Sequence, residues 1–187
     1  MPIPRLSIDN TALLVIDVQE RLLPTFVDAE RIVNNCAVAL RMAQELDLPN
    51  LVTEQYPKGL GRTAEAICQV MPDQSQRVEK TRFSAVVDVV DEKLMEWQRT
   101  NLLICGVEAH VCVLQTVLDL QASGRQCFVL TDAIASGQRD QMPHALTRMQ
   151  AAGAILTGVV GAMYELMDDA RHPSFRNCLS LVKELEF

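Results

Sequence analysis

Three side chains that can carry out nucleophilic chemistry follow apolar segments of the chain. Asp17 ends the run "TALLVID", Lys80 ends "RVEK", and Cys112 lies a few residues after "NLLICGV". A thiol becomes a strong nucleophile when it loses its proton, a nearby carboxylate can accept that proton, and an ammonium group favours the ionised sulfur. If the fold brings them together, the three could attack a carbonyl carbon.

The apolar segments themselves predict the strands of a sheet. "TALLVID" (11–17), "NLLICGV" (101–107), "QCFVLTDAI" (126–134) and "GAILTGVV" (153–160) are short and almost continuously apolar. Such runs are typical of strands buried on both faces of a parallel sheet. "LPNLVTEQ" and "RVEK" add two more predicted strands.

Helical patterns separate these strands. From Asp28, a suitable N-cap, apolar residues recur at steps of three and four, and Pro49 follows the predicted helix end. Further helices are predicted near 62–70, 87–98, 109–123 and 140–152. The alternation of strand and helix predicts an α/β fold over residues 1–187 as a single domain. We expect three Rossmann-like α/β/α layers with a six-stranded, mainly parallel sheet in the order 3-2-1-4-5-6.

That strand order brings the reactive residues to one edge of the sheet. Ligands of open parallel sheets bind at the carboxyl ends of the strands, where the strand order reverses. Strands one and four are neighbours there, so Asp17 and Cys112 should meet, with Glu54 on the same edge. Lys80 lies two strand spacings away, roughly 10 Å, so its side chain must extend inward. As part of the first helical turn, Cys112 would have its thiolate favoured by the helix dipole, and free first-turn amides could bind an oxyanion.

Composition limits the classes of partner. The net charge of −7, from 24 acidic and 17 basic residues, argues against a protein that binds a nucleic-acid backbone. The N-terminus lacks a signal-peptide pattern, and no apolar run approaches the roughly 20 residues that span a bilayer, so we expect a cytoplasmic protein without a membrane partner.

The three histidines lack metal-binding spacing, and we expect neither metal nor cofactor. The six cysteines form no CxxC pair and are expected to be core thiols: 36, 68, 105, 112, 127 and 178.

Four stretches, in order along the chain, resemble the isochorismatase-like cysteine hydrolases, the superfamily of nicotinamidases and N-carbamoylsarcosine amidohydrolase. They are "ALLVIDVQ", "VTEQYPKGLG", "KTRFSAV" and "ICGVEAHVCVLQT". The resemblance implies a catalytic triad of Asp17, Lys80 and Cys112, and a cis peptide bond between Val107 and Glu108. It also implies an oxyanion hole formed by the backbone amides of Glu108 and Cys112, and assembly into homo-oligomers.

Two departures from the family narrow the activity. Metal-dependent nicotinamidases carry histidines after the second strand, whereas "TEQYPKGLGRT" has none, so that activity is disfavoured. Enzymes that hydrolyse isochorismate lack the nucleophilic cysteine, so isochorismate is also disfavoured as a substrate. Five residues are candidates for lining a small-molecule pocket: Gln19, Glu54, Tyr56, Phe83 and His110.

These observations lead to one main hypothesis and its alternatives. The main hypothesis is a cysteine-dependent hydrolase that cleaves a small amide, ureide or carbamoyl C–N bond through an acyl-enzyme. An alternative is a non-hydrolytic thiol protein that senses oxidants or serves as an interaction scaffold. A binding module that kept the fold without activity is a third reading. Considered one at a time, Cys112 could be a core residue, Asp17 a turn former and Lys80 a solvated strand end.

Overall fold

The sheet has the predicted topology. The computed structural model describes residues 3–71, 73 and 76–185; the remaining positions of the expected 1–187 domain lie outside the described residues. The strands run in the order β3-β2-β1-β4-β5-β6, and every neighbouring pair is parallel. This confirms the α/β fold class. The strands are β1 Thr11–Ile16, β2 Asn50–Gln55, β3 Arg77–Lys80, β4 Asn101–Val107, β5 Gln126–Ala135 and β6 Ile155–Thr157.

Helices cover both faces of the sheet, and one apolar cluster lies under each layer. α1, α3, α7 and α8 pack on one face, and α4, α5 and α6 on the other. The helices are α1 Ala29–Glu45, α2 Pro57–Leu60, α3 Glu65–Val70, α4 Asp88–Trp97, α5 Leu114–Ala122, α6 Gln141–Ala151, α7 Val159–Met167 and α8 Phe175–Val182. A 3₁₀ turn spans Leu23–Thr25 and a π-helical turn spans Ala109–Val113.

The continuous apolar pattern of β1 follows from its central place between these two layers. Leu13 and Val15 belong to one cluster, and Leu14 and Ile16 belong to the other. Successive side chains of a strand point to opposite faces, so a strand covered on both sides must be apolar at every position. Burying each such side chain contributes roughly 1.5–3 kcal/mol, and this anchors the strand that precedes Asp17.

Two predicted elements differ from the structure. The segment 153–160 forms a strand only at Ile155–Thr157, because α7 begins at Val159, whose backbone N–H donates to the Asp132 carboxylate on β5. The predicted helix 109–123 is divided into the π-helical turn and α5. α1 does begin after Asp28, but the Asp28 side chain makes no capping hydrogen bond and lies 3.8 Å from Arg31.

A glycine allows the two central strands to meet closely at their carboxyl ends. Gly106 on β4 pairs with Ile16 on β1 and has a φ of 115°. A Cβ atom at this position would lie 2.0 Å from the Ile16 carbonyl oxygen. A larger residue therefore could not occupy the position that brings the end of β4 against Asp17.

The cysteines lie where their apolar surroundings predict. All six are free, and all except Cys68 are buried. No helix in the described ranges has both the length and the apolar character needed to cross a bilayer.

Candidate active site

Asp17 is the first residue after β1 and is fully buried at the edge of the sheet. Its backbone has a φ of 53°, a left-handed conformation that is uncommon for residues other than glycine. The Thr53 hydroxyl donates a hydrogen bond of 2.6 Å to Asp17 Oδ1. This bond and the backbone bond from Asp17 N to Thr53 O, 3.1 Å, fix the carboxylate relative to β2.

Lys80 reaches the same carboxylate from β3. Its Nζ lies 2.6 Å from Asp17 Oδ2, and neither side chain is exposed to solvent. The ammonium also donates to Gln55 Oε1 at 2.8 Å and to the backbone oxygens of Phe83 and Arg82 at 3.0 and 3.2 Å. Burying an ammonium group is costly unless its protons have acceptors, and these four oxygens supply them.

Cys112 lies in the π-helical turn after β4 and is only 6% exposed. Burial and, to a smaller extent, the negative charge of Asp17 raise the pKa of its thiol, Lys80 opposes the increase, and the net pKa is about 12. Cys112 is close enough to Asp17 for the carboxylate charge to act on its thiol. The resting sulfur is therefore a protonated thiol near neutral pH. From the sequence we expected the helix dipole to favour a thiolate at Cys112, but the thiolate is not the resting form.

The backbone before Cys112 has an unusual arrangement. The peptide bond between Val107 and Glu108 is cis. The amides of Val111 and Val113 both donate to the Glu108 carbonyl, at 3.0 and 3.2 Å, and this produces the wide turn. Within the part of the chain that the structure describes, the Glu108 amide donates to no protein acceptor. That N–H remains available to a ligand.

Gln19 and Glu54 lie at the same end of the sheet as the reactive residues, but their side chains bind elsewhere. Gln19 Nε2 donates to the backbone oxygens of Gln55 and Gly61, and Gln19 Oε1 accepts from the Gln55 amide. The Glu54 carboxylate accepts from the Thr63 amide at 2.7 Å. In contrast to the expectation, Glu54 points away from the Asp17–Lys80 pair, because it alternates along β2 with Thr53 and Gln55, which face the pair.

Tyr56 and Phe83 lie at the surface, 53% and 52% exposed. Tyr56 lines a cleft of 570 Å³ beside β3, together with Lys58 and Val89. Phe83 contacts the Asp17–Lys80 pair through its carbonyl group, whereas its ring is half-exposed. These two aromatic rings therefore form the outer surface near the candidate site.

His110 extends from the π-helical turn toward the loop after β5. Its Nδ1 lies 3.0 Å from Ser136 Oγ and 3.8 Å from Glu108 Oε2. The Gly137 amide in turn donates to Glu108 Oε2 at 2.8 Å. His110 and Glu108 thus connect the turn that carries Cys112 to the loop after β5.

Sequence reasoning missed two residues that contact the pair. Thr53 and Gln55 are the partners of Asp17 and Lys80 on β2, the strand that separates β1 from β3. The sequence contains a pattern that could have identified them. They are polar residues two positions apart at the end of a buried strand, so they face the same side.

The arrangement supplies a protonated thiol and, acting on it through its charge, a carboxylate that could accept its proton. Across residues 3–71, 73 and 76–185, no group of three His, Cys, Asp or Glu side chains is placed so that it could hold a metal ion. The chemistry that these residues can perform is attack by sulfur with transfer of its proton to Asp17.

Known proteins are similar to this chain in sequence and in fold. The isochorismatase domain family model matches residues 11–159. Isochorismatase domain-containing protein 2 of Xenopus laevis is 33% identical over 183 residues, which cover 97% of this chain and 88% of that protein.

Two solved structures extend the comparison. A structure described as MAR1 ribonuclease from Caenorhabditis elegans has a TM-score of 0.92 and 33% identity, and the match covers 96% of this chain and 93% of that chain. The YcaC gene product of Escherichia coli, described as an octameric hydrolase of unknown specificity, has a TM-score of 0.85 and 25% identity over the whole of both chains. This chain belongs to the isochorismatase family, whose members are typically cysteine hydrolases.

Proposed function

We propose that this protein is a cysteine-dependent hydrolase of a small amide-type C–N bond in an amide, ureide or carbamoyl compound. The observation that carries the proposal is one buried carboxylate, Asp17, that pairs with the Lys80 ammonium and whose charge also acts on the Cys112 thiol. A general base beside a nucleophile is the arrangement that covalent catalysis requires.

The first half of the reaction forms an acyl-enzyme. Asp17 accepts the thiol proton as Cys112 Sγ forms a bond to the substrate carbonyl carbon. The oxygen of the tetrahedral intermediate takes up the negative charge and is stabilised by the backbone amides of Glu108 and Cys112. Asp17 then gives its proton to the departing nitrogen, the C–N bond breaks, and a thioester remains on Cys112.

The second half returns the enzyme to its resting state. A water molecule attacks the thioester carbon while Asp17 accepts one of its protons. The C–S bond breaks, the acid product leaves, and Asp17 returns the proton to the sulfur. Lys80 keeps its positive charge throughout and holds the carboxylate toward the thiol. The raised pKa of Cys112 favours this route, because the sulfur loses its proton only as it attacks.

The alternative hypothesis of an oxidant-sensing thiol protein has less support than the hydrolase. Sensor cysteines combine a low pKa with solvent access. Cys112 has a pKa raised to about 12 and is 6% exposed. Slow reaction with peroxide and fast reaction with a bound acyl donor are the expected behaviour of such a thiol.

The description of the nematode structure as a ribonuclease suggests RNA as another substrate. Proteins that bind a phosphodiester backbone use clustered lysines and arginines. This chain has a net charge of −7. We therefore favour a small carbonyl compound over RNA, and we expect a single-stranded RNA oligonucleotide to remain uncleaved when incubated with the protein.

We also propose that the protein forms a homo-oligomer, as the description of E. coli YcaC as octameric suggests. Tyr56 and Val89 beside β3 are half-exposed large hydrophobic side chains, as is Phe83. Aromatic side chains such as those of Tyr56 and Phe83 are enriched at subunit interfaces. Light scattering coupled to gel filtration should give a mass above that of one 20.8 kDa chain, and a monomer at micromolar concentration would contradict this proposal.

The test of the hydrolase combines turnover with trapping of the intermediate. Wild type, Cys112→Ala and the control Cys68→Ala are incubated with a panel of small amides, ureides and carbamoyl compounds. We expect release of ammonia or amine from wild type and Cys68→Ala, and none from Cys112→Ala. Mass spectrometry of quenched reactions should locate an acyl group on Cys112, although Cys68 is more exposed.

Two outcomes would contradict the proposal. Equal turnover in Cys112→Ala would show that another group performs the chemistry. Reversible oxidation of Cys112 without turnover of any compound in the panel would favour the thiol-sensor reading instead.

A further inference from the structure

One loop binds the Lys80 ammonium and also contacts helix α5. It consists of residues 81–87, between β3 and α4, and we call it the 81–87 loop. Its Arg82 and Phe83 carbonyl oxygens accept hydrogen bonds of 3.2 and 3.0 Å from Lys80 Nζ. The Arg82 side chain also forms an ion pair of 2.9 Å with Asp119 on α5. Both side chains of this pair are partly exposed, and such pairs contribute little to stability, so the ion pair is a weak connection between loop and helix.

The buried connection between the 81–87 loop and α5 is the side chain of Thr116, which has no exposed surface. Its Oγ1 accepts a hydrogen bond of 2.8 Å from the Ala85 amide and donates one of 2.6 Å to the Cys112 carbonyl oxygen. A hydroxyl has one proton to donate and lone pairs that accept, so both bonds can form at once. Thr116 thereby joins the loop that binds Lys80 to the backbone of the proposed nucleophile.

A second threonine shows what is particular about Thr116. Threonine hydroxyls in helices often donate to the carbonyl group four residues earlier, as Thr147 of α6 does to Pro143 at 2.9 Å on the protein surface. Thr116 is instead fully buried, and its hydroxyl also accepts from another segment of the chain. Without this hydroxyl the Ala85 amide would lose this partner inside the protein, which is costly. The hydroxyl of Thr116 therefore does more than complete a helical turn.

The sheet alone does not set the position of the Cys112 sulfur relative to Asp17. The pairing of β1 with β4 ends at Gly106, and Cys112 lies beyond it in the π-helical turn. Ala85 and Cys112 belong to the same apolar cluster, so the 81–87 loop packs with the turn as well as bonding to it through Thr116. A displacement of about 1 Å at a reacting atom can reduce a rate about 100-fold. The connection between loop and turn is thus placed where it can affect proton transfer.

We propose that Thr116 is a positioning residue, whose hydroxyl holds the π-helical turn against the 81–87 loop so that Cys112 Sγ can transfer its proton to Asp17. This inference rests on the proposed hydrolase and adds a residue that acts through the position of Cys112. Thr116 makes and breaks no covalent bond in the reaction. Its contribution is the geometry of the two groups that exchange the proton.

Three variants test this role. Thr116→Val removes the hydroxyl and keeps the shape of the side chain, whereas Thr116→Ser keeps the hydroxyl. Thr147→Val removes a helical hydroxyl from the surface and is the matched control. kcat and KM are measured with a compound that wild type hydrolyses. Labelling of Cys112 by iodoacetamide is followed against pH by mass spectrometry on the same preparations.

Turnover should depend on the hydroxyl at position 116. We expect kcat of Thr116→Val to fall about tenfold, as for the loss of a buried hydrogen bond, with KM changed by less than about twofold. Thr116→Ser should keep kcat within about threefold of wild type, because it can form the same two bonds. Thr147→Val should stay within about twofold, as is usual for a surface substitution.

Labelling of Cys112 should change in the opposite direction. The charged groups that act on its thiol are Asp17 from β1, Lys80 from β3 and Glu108 at the start of the turn, but burial is the largest cause of its raised pKa. A turn released from the 81–87 loop admits water to the sulfur. We therefore expect the labelling profile of Thr116→Val to move to lower pH although kcat falls, and that of Thr116→Ser to stay with wild type.

Cys105 separates release of the turn from unfolding. It is fully buried on β4, so it should remain unlabelled in every variant while Cys112 of Thr116→Val reacts faster. If Thr116→Val does not fold, Thr116→Ala breaks the same two hydrogen bonds with a smaller side chain, and the same comparisons apply to it.

The results separate this inference from the proposed function. A labelling profile of Thr116→Val that matches wild type would overturn the positioning role, as would an equal fall of kcat in Thr116→Ser. Failure of every panel compound to acylate Cys112 in wild type would overturn the hydrolase. The labelling profiles need no substrate, so they would still show whether Thr116 holds the turn.

Discussion

Lys80 Nζ lies 2.6 Å from Asp17 Oδ2 although two strand positions separate β3 from β1, and both side chains are fully buried. The side chain of Lys80 crosses the end of β2, where Gln55 Oε1 accepts one of its protons. Asp17 is bound on its other oxygen by Thr53. One carboxylate is thus oriented by two neighbours, Lys80 and Thr53, and its charge acts on the Cys112 thiol.

Removing one member of this buried pair should strongly destabilise the fold. Lys80→Met leaves the Asp17 carboxylate buried without its cation, and we expect the free energy of unfolding to fall by roughly 3–5 kcal/mol. The double variant Asp17→Asn/Lys80→Met should lose less than the sum of the two single variants. Urea unfolding of all four proteins measures this coupling. Arg62→Met removes a pair with Glu20 that is exposed on both sides and serves as a control, with a much smaller change expected. Additive single effects would contradict a coupled pair.

Asp17→Asn should have opposite effects on thiol ionisation and on turnover. In wild type the pKa of Cys112 is raised to about 12 by burial and by the charge of Asp17. Labelling by iodoacetamide through a free thiolate should therefore increase about tenfold per pH unit between pH 8 and 11. Removing the carboxylate charge should move this profile to lower pH, because Lys80 then favours the thiolate without opposition.

Turnover of the same Asp17→Asn variant should nevertheless fall by about 100-fold or more, because the proposed general base is lost. The pH profile of labelling and the rate of substrate hydrolysis are measured on one preparation. A purely structural role for Asp17 would reduce turnover without moving the labelling profile to lower pH, and that result would remove Asp17 as the base.

Gln55 is expected to act as a positioning residue. Gln55→Met removes one acceptor of the Lys80 ammonium, while Gln55 Nε2 also loses its bond to the Thr81 carbonyl. We expect kcat to fall about tenfold, as for the loss of one hydrogen bond to a charged group, with KM changed by less than twofold. Gln44→Met is the matched control, because Gln44 Nε2 donates a similar 2.8 Å bond to the Val70 carbonyl away from the site. A change confined to KM would indicate substrate contact instead.

Gly106 and Gly124 offer a matched test of close strand approach. Both have positive φ, 115° and 83°, but a Cβ at Gly106 would meet the Ile16 carbonyl, whereas one at Gly124 would meet nothing within 4 Å. Gly124→Ala should cost about 1 kcal/mol through its backbone conformation alone. Gly106→Ala should cost several times more or prevent folding, because β4 must move away from β1. Thermal unfolding of the two variants, or their soluble yield, measures the difference, and equal losses would contradict the steric explanation.

Much of the fold could be predicted because its signals are local. A strand buried on both faces needs an apolar residue at every position, and this predicted β4 with the bounds that the structure has. The candidate catalytic residues Asp17, Lys80 and Cys112 were selected by the rule that ligands bind at the carboxyl ends of parallel strands. β6 was predicted too long because the start of α7 depends on Asp132, which lies on a different strand. No pattern within 153–160 carries that information.

The sequence by itself determined which residue types end each strand, and hence that a carboxylate, an ammonium and a thiol lie at one edge of a parallel sheet. Only the tertiary structure decided how they are connected. On β2, where sequence reasoning had selected Glu54, it is Gln55 and Thr53 that complete the contacts, and Glu54 between them points away. The protonation of Cys112 was also a tertiary property. Burial and the Asp17 charge raise its pKa, Lys80 lowers it, and their balance depends on distances and solvent exclusion that no local pattern encodes.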